Sequence, residues 1–140
     1  MRFLSAVLLA VSAVFAEVVE LTDDNFVGTT KIGTGEQTER WFVKFFAPWC
    51  PHCKRMAQTW VDLSEELGEG PDGTALRVGE VDATTQDALK TKFDITGFPR
   101  MYLFDTDGKV YKYPGARTVE GFSAFALGGY KSFDPVATTL

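Results

Sequence analysis

Residues 41–46 read Trp-Phe-Val-Lys-Phe-Phe, an apolar run broken only by Lys44. A strand that is apolar at successive positions has both faces buried, as an inner strand does in a sheet covered by helices on each side. Ala47-Pro48-Trp49 then leads into Cys50-Pro51-His52-Cys53, and the hydrophobic period changes. From Pro51 onward Met56, Trp60, Leu63 and Leu67 recur at helical spacing, which predicts a helix over 51–67. A doubly buried strand that runs straight into a helix commits the chain to a layered α/β architecture.

The remaining pattern fits that frame. Residues 18–21 read as a short strand, and Thr22-Asp-Asp-Asn25 supplies a capping residue and acids suited to a first helical turn. Residues 27–38, rich in Gly and Thr, read as a loop. Gly68-Glu-Gly-Pro-Asp-Gly73 stops the long helix. Residues 76–82 form a second inner strand, and 84–92 a short helix with Thr84 as its cap. Residues 101–104 and 110–113 flank Asp105-Thr-Asp-Gly108, a hairpin signal. Residues 118–127 make a last helix, and 131–140 read as a loose tail or the start of a linker. The order β-α-β-α-β-α-β-β-α is that of an α/β domain with one antiparallel pair at its end.

Charge and cysteine content narrow the function. With 14 Lys and Arg against 19 Asp and Glu, the net charge of −5 argues against nucleic-acid binding. The 140 residues hold two Cys and one His, too few to close a four-ligand zinc site without carboxylates. No metal or organic cofactor is therefore expected. At the N-terminus, Arg2 precedes a short apolar run, and Val14 and Ala16 fit the small-residue pattern of a cleavage site. Residues 1–16 thus read as a secretory signal, and 17–130 as one domain folding where disulfides are permitted. No other apolar run approaches the roughly 20 residues that a membrane span needs.

The chemistry lies in the cysteine pair. At a strand-to-helix junction Cys50 meets the helix N-terminus, where backbone N–H groups and the helix dipole stabilise a thiolate. The thiolate is the attacking species in disulfide exchange, and Cys53, one turn on, is placed to resolve a mixed disulfide. His52 can add positive charge beside Cys50, and Pro51 stiffens the loop. A static structural disulfide is the plain alternative, but so short a loop gains little stability from closure. A zinc half-site lacks further ligands, and chance sits badly with the only His lying between the only two Cys.

These residues bring out a resemblance. The string Phe42-Val-Lys-Phe-Phe-Ala-Pro-Trp-Cys-Pro-His-Cys-Lys54 resembles the active-site strand and helix of the thioredoxin superfamily, and within it of the protein disulfide isomerase family. Leu21-Thr-Asp-Asp-Asn-Phe26 is similar to the opening of such a domain. Val81-Asp-Ala-Thr84 and Gly97-Phe-Pro99 match later landmarks, so the likeness runs over about 18–128. It implies a thioredoxin-like fold, a central mixed β-sheet with helices on both faces, and thiol–disulfide exchange through Cys50 and Cys53.

The resemblance also implies roles for other residues. Pro99 is expected to be cis and to face the cysteines, offering the Phe98 backbone for strand-like pairing with a client; the plainer reading is a proline that starts a strand. The family usually places an acid at the position of Lys44, beneath the resolving cysteine, paired with a lysine on the next inner strand. Here the matching residues are Lys44 and Glu80, a pair inverted in sign that would relay the Cys53 proton, unless Lys44 snorkels to solvent. Tyr113-Pro-Gly-Ala-Arg117 keeps a family spacing whose Arg moves toward the resolving cysteine; alone it reads as a solvated charge.

Two departures stand out. Gln58 occupies the place of a helix-kinking Pro, and Arg100 follows Pro99 where Thr is common. Trp49, Phe98 and Arg100 are the candidate client contacts. Glu65, Glu66, Glu69 and Asp72 read as a solvated helix end and loop.

The expected activity is a thiol–disulfide oxidoreductase, an oxidase or isomerase, acting on unfolded or partly folded secretory proteins in the endoplasmic reticulum lumen. An upstream thiol oxidase or glutathione would recharge it. The rivals are a chaperone-like module that binds clients or a partner, and a reductase of a specific client. The final Ala137-Thr-Thr-Leu140 is not a Lys-Asp-Glu-Leu-type retention signal, which leaves other retention, secretion or a longer chain open.

Overall fold

A computed structural model describes residues 17–138 and 140. Residues 1–16, expected to be a secretory signal, lie outside the described residues. The elements run β1 (Val18–Glu20), α1 (Phe26–Thr30), β2 (Arg40–Phe46), α2 (Pro51–Glu66), β3 (Leu76–Asp82), α3 (Asp87–Lys92), β4 (Arg100–Phe104), β5 (Val110–Lys112) and α4 (Val119–Ala126). A 3-10 turn, Gly129–Ser132, follows. The five strands form one sheet in the order β1-β3-β2-β4-β5. β3 lies parallel to β1 and β2, whereas β4 is antiparallel to β2 and β5 to β4.

β2 sits at the centre, and all but its last residue are buried. Its side chains alternate between two cores. Phe42 packs with Met56, Trp60, Leu63, Phe122 and Phe125 on the face covered by α2 and α4. Trp41, Val43 and Phe45 pack with Phe26, Phe93 and Phe104 on the face covered by α1 and α3. The apolar run is thus the spine of a three-layer domain, and its C-terminal end delivers the chain to Cys50. The apolar face of α2 fixes how that helix leaves the sheet: Trp60 is wholly buried and its indole N–H donates to the Gly79 carbonyl at 3.0 Å. With Gln58 in place of Pro, α2 runs unbroken from Pro51 to Glu66.

The structure corrects several local expectations. Part of the loop read over 27–38 is helical, because Phe26–Thr30 forms α1. Thr22 and Asn25 exchange side-chain-to-backbone hydrogen bonds of 2.8 and 3.2 Å, which set the entry turn. Phe26 is buried, and the Thr30 hydroxyl bonds back to its carbonyl at 2.7 Å. Packing and the hydrogen-bonded entry turn here override the weak helix propensity of Gly and Thr. Thr84 does not cap α3. It sits in a turn held by the Asp82 carboxylate, and the helix starts at Asp87 after Gln86.

The tail is not loose. Tyr130 is buried, Val136 and Leu140 pack on the α1/α3 core, and the Val136 N–H donates to the Val110 carbonyl at 2.8 Å on the open edge of β5. Asp72 is also more than a solvated acid. It accepts from Arg40 at 2.8 and 2.5 Å, while Arg40 Nε donates to buried Asp105 at 2.8 Å and the Tyr130 hydroxyl donates to Asp105 at 3.0 Å. This network closes the end of the sheet opposite the cysteines.

Candidate active site

Cys50 is the N-cap of α2, and Pro51 occupies the first turn, where a missing N–H costs nothing. The Cys50 N–H is held by the Ala47 carbonyl at 3.1 Å, which fixes the turn between β2 and α2. The Cys53 N–H donates to Cys50 Sγ at 3.4 Å. Both thiols are free and nearly buried, at 5% and 4% exposure. Across the site, Phe98–Pro99 is the cis peptide bond, and the Phe98 carbonyl faces Cys50 Sγ at 3.8 Å.

The two thiols are driven apart in acidity. Burial opposes charge on Cys50, but the Cys53 thiol, the N–H groups of Cys53 and His52, and the charge of Arg117 outweigh it and bring its pKa below the ordinary thiol value. Burial pushes Cys53 up to about 11, reinforced by its hydrogen bond with Cys50 and opposed by the Ala47 N–H and Lys44. One sulfur is therefore disposed to be the thiolate and the other to keep its proton.

Of the remaining predicted residues, Lys44 acts on Cys53 and Arg117 on Cys50. Lys44 is 4% exposed, so it does not snorkel; its Nζ meets Glu80 at 3.3 Å on the adjacent strand and lies over the Phe46 and Trp60 rings at 5.1 and 5.9 Å. Trp49 is 66% exposed and packs edge-on against Phe98, with ring centroids 5.9 Å apart. Pro99 is buried, and the Arg100 guanidinium lies against Gly97. Tyr113, buried, donates its hydroxyl to the Ala116 carbonyl and so closes the loop that carries exposed Arg117. The charge of Arg117 favours the Cys50 thiolate.

The ring Nδ1 of His52 lies 2.8 Å from the Arg55 guanidinium, and the backbone N–H of His52 helps lower the Cys50 pKa. Sequence reasoning missed Arg55, although its i+3 spacing from His52 on a helix was the available signal. It missed the Ala47 N–H altogether, because a backbone donor has no signature in the sequence.

A three-layer domain with this sheet order and a dithiol at the head of α2 defines a thioredoxin-fold thiol–disulfide oxidoreductase domain. The family model described as Thioredoxin matches residues 17–127. A thioredoxin domain-containing protein of Theileria parva is 44% identical over 116 residues, covering 82% of this chain and 50% of that protein. Protein disulfide-isomerase 5-1 of Arabidopsis thaliana is 40% identical over 119 residues, covering 85% of this chain and 77% of the relative. The solution structure of the first thioredoxin domain of mouse protein disulfide-isomerase A4 superposes with a TM-score of 0.70 at 27% identity, over 87% of this chain and 82% of that one. The chain belongs to the thioredoxin family, in its protein disulfide isomerase branch. It spans half the length of the Theileria parva relative and about three quarters of the Arabidopsis thaliana one.

Proposed function

We propose that the protein donates and rearranges disulfides in secretory proteins folding in the endoplasmic reticulum lumen. In the oxidised state a client thiolate attacks Cys50 Sγ, the Cys50–Cys53 bond opens, and Cys53 leaves as a thiolate that takes up a proton. A second client thiol then displaces Cys50, so the client gains a disulfide and the pair gains two hydrogens. In isomerisation the reduced Cys50 attacks a client disulfide, and Cys53 resolves a complex that stalls. The observation that carries the reading is the placement of Cys50 Sγ, capped by the Cys53 N–H and facing the Phe98 carbonyl. Stabilising the thiolate favours the reduced pair, which makes the disulfide a better oxidant. Trp49, Phe98 and Arg100 are the proposed client contacts, with Pro99 holding the Phe98 backbone toward an extended client.

The reduction potential of the pair in glutathione buffers is the test. A value near or above roughly −180 mV is expected of a disulfide donor; a value near roughly −270 mV would overturn the reading in favour of a reductase.

Lys44 and Glu80 are proposed to relay the proton of Cys53, whose raised pKa leaves it a poor leaving group and a poor attacker unassisted. Lys44→Met and Glu80→Gln are each expected to slow Cys53-dependent resolution by about tenfold or more and to move its pH profile upward. Formation of the first mixed disulfide should be spared. Unchanged resolution rates in both variants would sink the relay.

A further inference from the structure

A cleft of about 480 Å³ opens beside Pro99. Met101, Tyr113 and half-exposed Phe133 give it an apolar wall, while Lys112 and Arg117 bring positive charge against the one carboxylate of Asp134. Among the described residues neither Lys112 nor Arg117 carries an ion pair. Arg100 lines the same cleft, with its guanidinium against Gly97. Three cations thus gather in one cleft beside Pro99, in a protein whose net charge is −5. The cleft begins one residue from the thiol contact, since Pro99 lines it and the carbonyl of Phe98, the preceding residue, faces Cys50 at 3.8 Å.

A client lying strand-like along Phe98 alternates its side chains, so the residue two positions from its reacting cysteine points to the same side, about 7 Å further along. We infer that the domain selects client segments with an acidic side chain two residues from the reacting cysteine, seated in the Pro99–Tyr113–Phe133 cleft against Arg117 and Lys112. This rests on the proposed function and names the specificity of the same site. An acidic residue is rewarded because it meets two cations without a carboxylate pairing either of them. A basic residue meets the same cations and is repelled.

The test uses oxidised protein and two-cysteine peptides that differ only in Asp, Asn or Lys two residues from one cysteine. Each peptide's rate is divided by its own rate with 2,2′-dithiodipyridine, a neutral disulfide, because a nearby carboxylate by itself raises a thiol's pKa and slows attack. The normalised Asp-to-Lys ratio is expected to be about threefold or more at low salt. It should fall toward one at about 1 M salt, where the Debye length is near 3 Å. Lys112→Glu should lower the ratio, and the ratio cancels any general change in reactivity of that variant. A ratio of one at every salt concentration, with all peptides oxidised, would overturn the specificity and leave disulfide donation standing. Failure to oxidise any peptide would overturn both.

Discussion

Cys50→Ser is expected to abolish disulfide transfer, lowering its rate on the order of 10³-fold or more. Cys53→Ser should instead retain the first attack and accumulate mixed disulfides with client proteins, visible on non-reducing gels. The asymmetry follows from the site. Cys50 caps α2 and has a pKa below the ordinary thiol value, whereas Cys53 is held at about 11. At neutral pH iodoacetamide should therefore label Cys50 ahead of Cys53 in the reduced wild type. Equal loss of activity without trapped clients in the Cys53 variant would mean that the pair does not divide the labour as attacker and resolver.

The second large effect concerns stability, at the far end of the sheet. Arg40→Leu is expected to destabilise the domain by about 3–5 kcal/mol, because it strands the Asp105 carboxylate in the interior. Asp105 is 8% exposed and would keep only the Tyr130 hydroxyl and the Thr106 backbone and hydroxyl as partners. Adding Asp105→Asn to Arg40→Leu should recover part of the loss, since the stranded charge is then gone. Urea melts of the single and double variants check this; a double variant no better than the single would show that lost packing, not the charge, is responsible.

The same network sets an acid limit. Burial pushes the Asp105 carboxyl up, but Arg40, the Thr106 N–H and the Tyr130 hydroxyl pull it below its ordinary value. Hydrogen bonds from Arg40 hold Asp72 low as well. Folded values below the unfolded ones mean that this stability is in place above about pH 4 and is lost as pH falls through the folded values. The wild type should lose stability along that limb, and Arg40→Leu should flatten it.

Much of the fold is legible in the residues. The apolar run 41–46 and the helical spacing of Met56, Trp60, Leu63 and Leu67 mark β2 and α2, and the junction between them locates Cys50. Those signals are strong because burial imposes a period on a long stretch of chain. Legibility fails where a tertiary contact decides a weak local preference. α1 exists because Phe26 is buried and Thr22 and Asn25 bind each other's backbone, none of which outweighs Gly28 and Thr29 in a propensity reading. The tail from 131 onward is ordered by Tyr130, Val136 and Leu140, too sparse to show a period. Arg40 and Asp72 lie far apart in sequence, so their pairing has no local trace. In the site, sequence and resemblance bring Lys44 and Glu80 to matching strand positions. The direction of the His52 ring depends on Arg55, and the placement of Arg117 depends on the Tyr113 hydroxyl, two contacts that spacing alone does not reveal.

The seating of the tail on β5 bears on a hazard particular to proteins that handle unfolded chains. A bare sheet edge is a template, and an extended client pressed against it can add on as a further strand and seed a deposit. Here β1 exposes only three residues, and β5 has its outward Val110 carbonyl already taken by Val136. On the proposed function, extended clients are left with the Phe98 backbone beside the thiols as their docking line, where the bond that forms is one the protein can break again.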